Sequence, residues 1–162
     1  MKQIINYLWP VFLCLALGYI ASIFQAESMS VWYPFLVKSS LTPPGIVFPV
    51  VWSVLYILMG ISMGRILNAG YYKGGLIWTS QLIFNFLWSI LFFTCRMPLL
   101  GFIDIIILDA LTVLYIINVY NKDRVASLLF IPYIVWLLLA TYLNLYIMLY
   151  NCSVLNKLTQ II

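Results

Sequence analysis

Five runs of apolar residues, about 4–24, 45–67, 76–93, 99–120 and 125–150, divide the sequence, each long enough to cross roughly 30 Å of hydrocarbon. Inside a bilayer every backbone N–H and C=O needs a partner within the protein, so a spanning segment is either a helix or a strand of a closed barrel. The runs are continuous rather than alternating in polarity, which selects helices. Of the 162 residues, 65% are hydrophobic and 7% charged, too few polar residues to cover a water-soluble globule. The fold class is therefore an all-α integral membrane protein, a five-transmembrane-helix bundle, read as a single domain over residues 1–162.

The connections order the helices. "NAGYYKGG", "CRMP" and "NKDR" are short turns that make neighbouring helices antiparallel. The connection over 25–44 is long, too polar and proline-rich for a lipid-embedded helix, and it carries Trp32, Tyr33 and Phe35. Clustered aromatics on a long loop point to a lid packed on something below. In "SSLTPPGIVFPVVW", Thr42 is expected to cap the second helix and Pro43 to occupy its first turn, with Pro49 kinking it or freeing a carbonyl. The first run also has the short charged start of a secretory signal, but its length favours a membrane span.

Charge and residue usage exclude several function classes. The eight Lys and Arg are scattered, which argues against nucleic acid and for topology signals. Lys2, Arg65, Lys73, Lys122 and Arg124 fall on one side, and Lys38, Arg96 and Lys157 on the other, favouring an amino terminus inside. Histidine is absent, removing the commonest general base and transition-metal ligand, and no Walker-type loop is present. Cys14, Cys95 and Cys152 are far apart and read as ordinary thiols, so neither a metal site nor a cofactor is expected. Five spans do not divide into two equal repeats, which argues against alternating access.

Chemistry must then rest on aromatics, amides and a few carboxylates. Trp52, Tyr56 and Gly60 share one face of the second helix, and Pro132, Trp136, Ala140 and Asn144 one face of the fifth. Two readings stay open: interlocking packing, of which Gly60 and Gly64 form a small-xxx-small motif, or a pocket walled by indoles for a flat apolar ligand. Asn85 needs a partner on another helix or on a ligand, and Gln81, Trp88 and Ser89 make its span the most polar. Asp104 lies about five residues, roughly 8 Å, into the fourth helix and Asp109 near its centre. They point about 140° apart, so they are not a paired acid and base. Asp109 is expected to be protonated or hydrogen-bonded to another helix.

"WYPFLVKSSLTPPGIVFPVVWSVLYILMG", "QLIFNFLWSILFF" and "IPYIVWLLLATYLN", in that order, resemble the TspO/MBR family, the tryptophan-rich sensory and translocator proteins also called peripheral benzodiazepine receptors. The resemblance implies five membrane helices, often as a homodimer, enclosing a pocket for porphyrins (tetrapyrroles), sterols or benzodiazepine-type drugs, with the first loop as its lid. Motif by motif it implies ligand-binding residues at Tyr33, Trp52, Asn85, Trp136 and Ala140. Tyr56, Trp88, Ser89, Asp104 and Asn144 stand as accessory positions, Asp104 matching an acid frequent in the family's fourth helix. The implied role is transport, sensing or stress response. The alternative is an enzyme degrading porphyrin in light and oxygen, with Trp52 and Trp136 as its catalytic participants. The family reads Lys-Pro-x-Trp before Thr-Pro-Pro, whereas Lys38, Ser39, Ser40 and Leu41 stand here, which predicts a looser lid. After Tyr146 the next cation is Lys157, too distant for the family's cholesterol motif. The expected location is a bacterial cell membrane, since no mitochondrial presequence precedes the first span.

Overall fold

A computed structural model of the protein describes residues 2–151; Cys152 and Lys157 lie outside the described residues. Among the described residues, five helical segments are long and apolar enough to span a membrane, as the apolar runs require. The protein is a multi-pass integral membrane protein.

The first helix, α1 (Lys2–Val31), has 30 residues, so at 1.5 Å per residue it exceeds the hydrocarbon thickness. It continues seven residues beyond the expected end at Phe24. Gln25 to Val31 contains neither Pro nor Gly, and its polar groups find partners on the turn leaving the third helix. Ser28 donates to the Phe93 carbonyl, and Glu27 pairs with Arg96 at 2.9 Å. The loop is correspondingly short, beginning with a 3₁₀ turn at Tyr33–Phe35.

The second helix, α2 (Val47–Asn68), starts later than the prolines suggest. Its N-cap is Ile46, with no side-chain cap; Thr42 instead lies in a turn, donating its N–H to the Ser39 carbonyl at 3.0 Å. Pro43 and Pro44 stay outside the helix, where they rigidify the approach. Pro49 is the third helical residue, and its missing N–H belongs to the first turn, which has no intrahelical acceptor. Neither a kink nor a freed carbonyl is required there.

Helix α3 (Tyr72–Ser89) runs into a π-helical turn (Ile90–Thr94), and α4 (Pro98–Tyr120) begins on a proline suited to its first position. The last span is broken into α5 (Arg124–Leu128) and α6 (Ile131–Tyr150). Pro132 cannot donate to the Leu128 carbonyl four residues earlier, so the chain turns between the two pieces.

Packing is closest between α1 and α2. A Cβ at Gly60 would collide with the Val11 backbone, and one at Gly64 with Tyr7, so only glycine permits this approach. At the same end, Ser62 meets the Tyr115 hydroxyl and donates to the Ala126 carbonyl, both at 2.7 Å, and the Trp78 indole donates to Met59 O at 3.0 Å. Asp123 caps α5 by accepting from Ala126 N at 2.9 Å, and binds Arg65 of α2 at 2.8 Å. In the opposite half, beneath the loop, the same helices stand further apart around a cavity.

Candidate ligand-binding site

Where α1, α2, α3 and α6 meet under the loop they enclose a cavity of about 470 Å³, within the range of small-molecule sites. Tyr33, Trp52, Asn85, Trp136 and Ala140, the five positions singled out for ligand, all line it, as do Tyr56, Trp88 and Ser89. Every lining residue is uncharged. Of the accessory positions, Asp104 and Asn144 do not line it.

Each wall follows from its helix. Trp52 and Tyr56, one turn apart on α2, lie with ring centroids 5.5 Å apart, and Trp52 meets Tyr133 of α6 edge-on at 6.3 Å. Trp136, three residues after Tyr133 on the same face, packs edge-on against Phe48 at 5.7 Å. Ala140 follows one turn later, and its small side chain leaves the space open. The large and small residues at helical spacing thus shape a cavity as well as a helix contact.

The floor is a hydrogen-bonded chain. Tyr56 donates its hydroxyl to Asn85 Oδ1 at 3.0 Å, and Asn85 Nδ2 donates to the Tyr133 hydroxyl at 2.9 Å. The mid-membrane amide therefore ties α2, α3 and α6 together, which satisfies a group otherwise costly in that setting. Higher up, Gln25 of α1 donates to Ser89, and Trp88 donates its indole N–H to Asn144 Oδ1 at 3.1 Å. Asn144 in turn donates to the Pro98 carbonyl at 2.8 Å, so it anchors the Trp88 wall from behind.

The loop lies across this space. Tyr33 stacks at a tilt on Phe93 with centroids 5.8 Å apart, and burial pushes its phenol above the ordinary range. Lys38 stands 5.1 Å over the Tyr33 ring and donates to the carbonyls of Tyr33, Pro34 and Leu36. Asn151, at the end of α6, clasps both backbone groups of Val37, at 2.8 and 3.1 Å. Ser39, one of the residues expected to loosen the lid, is 7% exposed and bonds Tyr142 at 3.0 Å. A serine hydroxyl there makes a tether that a proline has no group to make.

One side of the cavity reaches the outer surface of the bundle. Its rim includes the exposed Tyr19, Ser22 and Met29 of α1 and Pro49 and Ser53 of α2. Both helices are spanning segments, so this crevice opens on the outer side of the bundle within the spanning region. Sequence reasoning leaves out Gln25, which reads as loop, and Tyr133, whose i, i+3 spacing with Trp136 is the signal that finds it.

The two intramembrane acids differ. Asp109 accepts from the Thr141 hydroxyl at 2.8 Å, the expected bond to another helix. Asp104 is 4% exposed and its Oδ2, like Asp109 Oδ1, has no partner among the described residues, so only Asp109 is tied to another helix.

Comparison with known proteins agrees with the architecture and the motifs. The profile of the TspO/MBR family matches residues 10–150. The tryptophan-rich protein TspO of Chlorobaculum tepidum is 37% identical over 93% of this chain and 98% of its own length. That of Archaeoglobus fulgidus is 38% identical over 92% and 99%, and the human translocator protein 30% identical over 70% of both. The chain spans nearly the whole length of these two prokaryotic relatives, and it belongs to the TspO/MBR family.

Proposed function

We propose that this protein is a membrane receptor or carrier for tetrapyrroles, with Tyr33, Trp52, Asn85, Trp136 and Ala140 as its ligand contacts. One observation carries the reading: an uncharged cavity of about 470 Å³ with the indoles of Trp52, Trp88 and Trp136 on its walls. Indole faces favour a broad, flat π-system, and the few polar groups, Asn85, Gln25 and Ser89, suit orientation rather than bond making. Relatives bear the names sensory protein and translocator protein, in keeping with binding coupled to signalling or movement. An apolar ligand reaches the site from the bilayer, through the crevice between α1 and α2.

The same indoles support a second reading, light- and oxygen-dependent breakdown of the bound porphyrin with Trp52 and Trp136 as redox participants. The test is a titration of detergent-purified protein with protoporphyrin IX, followed by tryptophan fluorescence in the dark and by absorption under illumination. Saturable quenching that weakens about tenfold in Trp136→Leu supports binding; a tenfold change is about 1.4 kcal/mol, ordinary for a central aromatic contact. Non-saturable quenching, or identical titrations for both proteins, overturns the site. A new absorbing product whose yield falls in Trp52→Phe or Trp136→Phe supports the enzyme.

A further inference from the structure

Behind the cavity floor, helical register brings three fully buried polar residues, Gln81, Thr112 and Tyr133, to one level of the bundle. Gly101 of α4 fixes the register: a Cβ there would stand 3.2 Å from Phe92 of the π turn and 3.1 Å from Asn144 Oδ1 of α6. Eleven residues of α-helix advance about 16 Å and turn through three revolutions plus only about 20°. Faces that meet at one level meet again eleven residues further along where the helices stay side by side, as α4 and the start of α6 do at Tyr115 and Phe130, whose ring centroids are 4.2 Å apart. Counting from Phe92, Gly101 and Asn144 into the bundle reaches Gln81, Thr112 and Tyr133. The π turn displaces Gln81 by a few tens of degrees, which keeps it on the inward face.

All three residues are 0% exposed. Among the described residues, Gln81 Oε1, Gln81 Nε2 and Thr112 Oγ1 have no hydrogen-bond partner. Tyr133 accepts from Asn85, and its own hydroxyl proton has no acceptor among the described residues. Gln81 lies one turn from Asn85 on the same face of α3. Donors and acceptors of this kind are costly when left unpaired in an apolar core, and a buried water typically makes about three hydrogen bonds. Gln81 offers two acceptor lone pairs and two N–H donors, Tyr133 one O–H donor, and Thr112 a hydroxyl able to serve as either.

We propose that Gln81, Thr112 and Tyr133 bind a buried water, and that this water, through the Tyr133 hydroxyl, positions the Asn85 amide beneath the cavity. The second clause rests on the cavity being a ligand site; the first does not. A water accepting the Tyr133 proton fixes that hydroxyl as the acceptor for Asn85 Nδ2. Asn85 Oδ1 then faces Tyr56 and the cavity. Thr112 becomes a positioning residue although it does not line the space.

A high-resolution crystal structure of the unmodified protein in lipid tests the water directly. The expected result is a solvent peak within about 3 Å of Gln81, Thr112 and Tyr133; a direct Gln81–Thr112 hydrogen bond with no peak overturns it. Protoporphyrin IX titrations of Thr112→Val and Thr112→Ser test the positioning. Val, which keeps the shape and removes the hydroxyl, is expected to raise Kd about three- to tenfold, and Ser to restore it. Equal affinity in Val and wild type, or failure of Ser to restore it, overturns the positioning role. Failure of the wild type to bind protoporphyrin overturns the tetrapyrrole reading, and the solvent peak still decides the water site.

Discussion

At the end of the bundle away from the loop, helices are drawn together by residues too small to hold them apart; at the loop end they are propped open by indoles. Gly60 and Gly64 let α1 rest on α2, and Ser62, Tyr115 and Arg65–Asp123 cross-link the same region through polar contacts. Beneath the loop the corresponding faces carry Trp52, Trp88 and Trp136 around open space. The sequence alternates large and small residues in both halves, yet between α1 and α2 one arrangement brings backbones together and the other frames open space. A closed base holds the helices rigidly enough for an open end to keep its shape without a ligand.

Glycine substitutions give the sharpest contrast. Gly60→Ala forces a methyl group into the Val11 backbone and is expected to cost about 1–3 kcal/mol. Gly45→Ala, at the cavity rim with nothing within 4 Å of its Cβ, is expected to stay within about 0.5 kcal/mol of wild type. Thermal unfolding of both variants in one detergent measures the difference. Equal losses would erase the distinction between the two halves.

The base also has its own pH dependence. Burial pushes the Asp123 carboxyl up, but hydrogen bonds from Ala126 N and Arg65, and the Arg65 charge, outweigh this and hold it below the usual carboxylate range. A carboxyl depressed in the folded state stabilises fully above the unfolded value of about 3.9, and that stabilisation is lost as pH falls through the folded value. Asp123→Ala is expected to lose about 1 kcal/mol at pH 7, the worth of an N-cap with a partly solvated ion pair adding little. Unfolding curves of wild type and variant should converge as pH falls below about 4. Parallel curves down to the lowest pH would show that Asp123 is not the group responsible.

How much of this was legible without coordinates depended on the range of the interactions. The bilayer dictates helices locally, so the number of spans and most of their limits follow from apolar runs alone. Trp52, Asn85 and Trp136 stood out because an indole or amide at membrane depth needs a reason. The end of α1 and the ties of the loop were hidden because they depend on distant residues: Ser28 on Phe93, Val37 on Asn151, Ser39 on Tyr142. The effect of Pro49 depends on where its helix starts, and the two prolines before Gly45 suggest an earlier start than the Ile46 N-cap.

The crevice and the loop make opposite demands on ligand kinetics. Ser53→Trp, at the outer rim between α1 and α2, is expected to slow protoporphyrin association a few-fold in stopped-flow fluorescence. Ser39→Ala, which cuts the bond to Tyr142, should leave association unchanged if ligand arrives from the bilayer. The reverse pattern would move the way in from the crevice to the loop.

The most direct measurement of the whole reading is the Kd for protoporphyrin IX of Ala140→Phe beside that of wild type, with the unfolding temperature of each. Ala140 lines the cavity, so a phenyl group there occupies the space a ligand would take. The expected result is affinity weakened at least about tenfold, about 1.4 kcal/mol, at unchanged unfolding temperature. Unchanged affinity in the Ala140→Phe variant would contradict the assignment of this cavity as the ligand site.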